Sequence, residues 1–65
     1  MGIIEAYAFT RKEDGGLELA VDQFETKEEA LAFLYSKKNR RYEHRFFAEG
    51  PELITRARMF IWGGR

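Results

Sequence analysis

A chain of 65 residues is one small domain, reads 1–65 as a single α+β unit, and buries only about 60% of the surface its unfolded form exposes. Hydrophobic residues make up 45% and charged residues 34% of it, which excludes a disordered chain, and its lack of cysteine excludes disulfides and thiolate zinc sites. The net charge is zero, but residues 1–35 hold three basic and eight acidic groups, a net of −5, and residues 36–65 hold eight basic and three acidic groups, a net of +5. Such a split fits either two segments that attract each other within one fold or a basic surface on a neutral protein.

No apolar run reaches the roughly 20 residues that span a bilayer. Glu5 stands near the start without a basic run before it, and Ala6 occupies the place where a myristoylation signal has Ser or Thr. The expectation is a soluble, cytoplasmic protein with no membrane partner.

Ile3 to Thr10 mixes branched and aromatic residues and is expected to be a strand. Glu13-Asp14-Gly15-Gly16 supplies turn chemistry. Leu17 to Phe24 alternates strictly, with Leu17, Leu19 and Val21 opposite Glu18, Ala20 and Asp22. The first 24 residues therefore predict a β-hairpin.

Thr26 to Lys38 predicts a helix. Thr26 and Glu29 form a capping box, Ala30, Leu31 and Leu34 make an apolar stripe, Lys37 and Lys38 suit the last turn, and Asn39 suits a left-handed cap. Tyr42 to Glu49 predicts a third strand, with Tyr42, His44, Phe46 and Ala48 on one face and Glu43, Arg45, Phe47 and Glu49 on the other.

Glu52 to Trp62 fits two periods. Pro51 before it and Gly63 after it favour a helix. Its alternation and its Ile, Thr, Phe and Trp favour a strand. The strand is the preferred reading, which gives a two-layer ββαββ fold with one helix on a four-stranded antiparallel sheet. The alternative is ββαβα with a C-terminal helix.

In the preferred fold one sheet face stays open. If Leu17, Leu19 and Val21 face the helix, the open face carries Tyr7, Phe9, Arg45, Phe47, Arg56, Arg58, Phe60 and Trp62. Aromatics with arginine are the residues of protein interfaces, so the expectation is a protein-binding surface, for a second copy of the chain or for a larger protein that it inhibits or regulates. A single-stranded nucleic acid or RNA is the alternative ligand, with bases on the aromatics and phosphates on the 37–45 segment through Lys37, Lys38, Arg40 and Arg41. Tyr7-Ala8-Phe9 matches three positions of the RNA-recognition strand pattern, but Glu5 stands where that pattern is basic. In a third reading the last segment is a helix that covers this face, and the aromatics are core.

Catalysis is not expected. His44 is the sole histidine and Ser36 the sole serine, and neither stands in a motif that gives it an acid–base partner. No phosphate-binding glycine loop occurs. No catalytic residue, cofactor or metal is therefore assigned.

Overall fold

A computed structural model describes residues 2–62. The strands are β1 (Ile4–Arg11), β2 (Leu17–Phe24) and β3 (His44–Glu49), and the helices are α1 (Lys27–Leu34) and α2 (Gly50–Trp62). The three strands form one antiparallel sheet in the order β2-β1-β3. The fold is α+β, with β1 central and a helix on each face.

The hairpin forms as its turn residues require. Lys12 and Gly16 close it by a 2.9 Å backbone bond, and Gly15 takes a φ of 90°, open to glycine at little cost. The register sets Ala6 against Asp22 and Ala8 against Ala20, and Tyr7 against Val21 and Phe9 against Leu19. Even-numbered residues of both strands thus share one face and odd-numbered residues the other.

The small even set lets α1 approach closely. Ala6, Ala8 and Ala30 have no exposed surface, and with Ile4, Leu34 and Tyr42 they form the core under α1. Thr26 caps α1 by accepting the Glu29 N–H at 3.2 Å. The helix ends at Leu34, short of the predicted Lys38, and a single 3-10 turn follows over Lys37–Asn39. Asn39 is buried and its φ is not positive, so it does not act as the predicted left-handed cap. Its Nδ2 instead donates to the Phe33 carbonyl at 2.8 Å, so the side chain satisfies a helix-end acceptor.

The predicted fourth strand is helix α2, so the order is ββαβα and not ββαββ. Gly50 opens this helix with a φ of 81°, which lets the chain turn back at once from β3. Pro51 follows in the first turn, where its missing N–H leaves no bond unmade. The helix wins because the odd face of the sheet needs a cover. Tyr7, Phe9, Ala48, Ala57 and Ile61 form a second core, with Leu17, Leu19, Val21, Phe46 and Ile54 packed around it. Leu17, Leu19 and Val21 therefore face α2, not α1.

Candidate functional site

The second core rearranges the expected site. Tyr7 and Phe9 do lie on the face away from α1, but α2 covers them and both are buried. The Tyr7 ring stacks on Phe46 at a centroid distance of 4.8 Å, with Trp62 edge-on at 6.5 Å. Phe9 stacks on His44 and meets Phe46 edge-on.

Arg45 and Phe47 stand opposite Ala8 and Ala6, which places them on the α1 face and not with Tyr7. Phe47 packs against the α1 core. Arg45 ties down the chain after α1: Nε donates to the Leu34 carbonyl at 2.9 Å, Nη2 to the Arg40 carbonyl at 3.0 Å, and the guanidinium lies over the Tyr35 ring. The expectation failed because it took the Leu17 set to lie under α1 and set Arg45 and Phe47 on the Tyr7 face; strand register fixes both assignments, and a shift of one residue exchanges the faces.

Arg58 is consumed inside the fold. It forms a bidentate pair with Glu5, from Nε to Oε1 at 2.9 Å and from Nη2 to Oε2 at 2.6 Å. Glu5 is only 1% exposed. The Tyr7 hydroxyl also donates to Glu5 Oε1, and Gln23 Nε2 donates to Oε2 at 2.9 Å. Four donors thus hold one buried carboxylate and pin α2 to β1 and β2. The Arg58 bonds are the largest cause of a Glu5 pKa lowered to about 2, helped by Tyr7 and Gln23 and opposed by burial. Burial first, then the bond to Glu5, pushes the Tyr7 hydroxyl up to about 12. The cluster holds a fixed charge at neutral pH, and a proton shuttle needs a group that titrates near the working pH.

Sequence reasoning missed this cluster. Alternation places Glu5 and Tyr7 on one face, but nothing local couples them to an arginine 53 positions away.

The basic segment is divided. Arg41 pairs with Glu18 at 2.9 Å and lies over the Tyr42 ring. Lys37, Lys38 and Arg40 are exposed on the turn after α1.

The outer side of α2 is open, as are Leu31 and Tyr35 in and after α1 and Ile3 before β1. Met59 is 65% exposed, Phe60 62% and Trp62 55%, with Leu53 and Arg56 exposed beside them. At about 100° per residue the buried Ile54, Ala57 and Ile61 define the side that meets the sheet. Arg58 and Trp62 fall on the flank above β1, where they meet Glu5 and Tyr7. Leu53, Arg56 and Phe60 fall on the other flank, and Phe60 meets Phe46 of β3 edge-on at 6.5 Å.

Among the described residues there is no cluster of His, Asp or Glu able to hold a metal ion, and no helix long and apolar enough to cross a membrane. No family model, no curated protein and no solved structure matches the chain.

Proposed function

We propose that the chain is a non-catalytic, cytoplasmic protein-binding module whose contact surface is the outer side of α2. Leu53, Arg56, Met59, Phe60 and Trp62 are its contact residues. The observation that carries this reading is the exposure of Met59, Phe60 and Trp62 within four positions of one helix, each by more than half. Large apolar side chains grouped on a small protein mark interaction surfaces, and Met, Phe, Trp and Arg are the types enriched there. In the bound state Met59, Phe60 and Leu53 are buried, Arg56 between Met59 and Phe60 pairs with carboxylates or carbonyls, and Trp62 forms the far edge of the contact.

For the nucleic-acid alternative, Lys37, Lys38 and Arg40 stay exposed on the turn after α1, and Arg56, Phe60 and Trp62 on α2. Tyr7 and Phe9 are buried and offer no platform for bases, and Arg41 and Arg45 are already engaged.

A photo-reactive amino acid placed at Phe60 in living cells separates these readings. The expected result is a discrete protein adduct, absent when the probe replaces exposed Glu28 of α1 and reduced when Leu53→Asp is added. Adducts to nucleic acid alone, or equal protein adducts from both positions, contradict the proposal.

A further inference from the structure

The β3 strand is an edge strand, and its hydrogen-bond phase can be read. The Gly50 N–H donates to the Ile3 carbonyl at 3.2 Å. In an antiparallel ladder bonded and non-bonded pairs alternate. The pairs Glu5–Ala48, Tyr7–Phe46 and Phe9–His44 therefore exchange bonds. The Lys12–Gly16 bond fixes the same phase from the other side, since it commits the even residues of β1 to β2. Arg45, Phe47 and Glu49 consequently turn their N–H and C=O groups outward. Among the described residues no turn, loop or side-chain hydrogen bond reaches these groups, and the Glu49 carbonyl, at the N-cap of α2, takes only the first helical bond. An unpaired edge of this kind is a template for another strand.

The side chains along this edge are self-complementary. Arg45 and Glu49 stand two residues to either side of Phe47, on the same face. A two-fold axis through Phe47 places Phe47 against its own copy, and Arg45 against the second copy's Glu49 twice. All three outward residues then form bonded pairs, and opposite charges face each other. The axis must map each face of the sheet onto itself, and this register does so. Arg45 keeps its Nη1 nitrogen for the contact, since its bonds to carbonyls use Nε and Nη2. Glu49 is exposed, with Lys27 at 3.6 Å as its present partner.

The other edge does not offer the same match. The outward groups of β2 belong to Leu17, Leu19, Val21 and Gln23, and self-pairing about Leu19 or Val21 sets no opposite charges against each other.

The β3 edge and one flank of the α2 surface lie on the same side. The Leu53–Phe60 flank of α2 overhangs β3, as the Phe46–Phe60 contact shows. Pairing of two β3 strands brings the two flanks together across the axis, and covers Phe60 and Leu53. We infer that the partner of the α2 surface is a second copy of this chain, joined through β3 into a continuous six-stranded antiparallel sheet. This rests on the reading of α2 as a protein-binding surface.

Solution mass of the full chain over a dilution series tests it. The wild type is expected to be a dimer that dissociates on dilution. Glu49→Arg sets arginine against Arg45 at two places and should raise the dissociation constant about tenfold or more. Phe60→Asp should do the same through the helix flank. Both positions are exposed, so circular dichroism should show both variants folded. A dimer that survives Glu49→Arg but not Phe60→Asp overturns the strand pairing and leaves the α2 surface standing. A wild type that is monomeric throughout, or that grows beyond a dimer, overturns the inference. The cross-link from position 60 then decides the α2 reading separately.

Discussion

Glu5→Ala is expected to unfold much of the protein at ordinary temperature. The substitution leaves the Tyr7 hydroxyl and the Gln23 amide without their acceptor, and frees Arg58 from the sheet. Tyr7 is fully buried, so no water replaces the lost partner. Breaking a buried ion pair costs about 3–5 kcal/mol. Arg58 is half exposed and can rehydrate, so about 3 kcal/mol is the fitting figure. A domain of 65 residues has a total stability of roughly 3–10 kcal/mol. The loss is therefore comparable with the whole. Because Arg58 is the side-chain polar link between α2 and the sheet among the described residues, α2 should detach first. Urea melts followed by far-ultraviolet circular dichroism and by Trp62 fluorescence check this. Glu5→Gln keeps an acceptor for Tyr7 and should cost less. A Glu5→Ala variant with the midpoint of the wild type would contradict the role given to the cluster.

The same cluster sets a pH window. The Glu5 pKa falls from 4.5 to about 2 on folding. A depressed carboxyl pKa contributes stability that is fully present above 4.5 and is lost as the pH falls through 2. A shift of that size corresponds to about 3 kcal/mol. The Tyr7 hydroxyl moves the other way, from 10.0 to about 12. A raised pKa contributes stability that is fully present below 10 and is lost as the pH rises through 12, about 2–3 kcal/mol in all. Stability should therefore be flat with respect to this cluster between the two windows and fall at both ends. Glu5→Gln should remove the acid decline that this group causes, and Tyr7→Phe the alkaline one. A wild-type acid decline of unchanged size in Glu5→Gln would show that other carboxylates carry it.

The parts of the fold that local chemistry controls were legible. The Asp14-Gly15 turn, the alternation of β2 and the Thr26–Glu29 cap each specify a structure within a few residues. The C-terminal segment was not, because Ile54, Arg56, Arg58, Phe60 and Trp62 satisfy a period of two, while Ile54, Ala57 and Ile61 satisfy a helical one. The odd face of the sheet, with Tyr7 and Phe9 in need of cover, settled the matter in favour of the helix, and that demand is nonlocal. The candidate site followed the same division. Phe60, Trp62 and Arg56 are exposed as expected, although on a helix. Tyr7 and Phe9 became core, and Arg58 found a buried carboxylate. Arg45 and Phe47 changed faces because the β1–β3 register, set across the α1 connection and by no local turn, pairs them with Ala8 and Ala6.

The most direct test of the account is amide hydrogen exchange at Arg45, Phe47 and Glu49, followed across dilution. Their N–H groups point outward from β3, while the Ala48 N–H bonds to β1 in either state and serves as the internal reference. The account predicts slow exchange at all three in concentrated solution and fast exchange after dilution, with Ala48 slow throughout. Fast exchange at Arg45, Phe47 and Glu49 at every concentration, beside a slow Ala48, would contradict it.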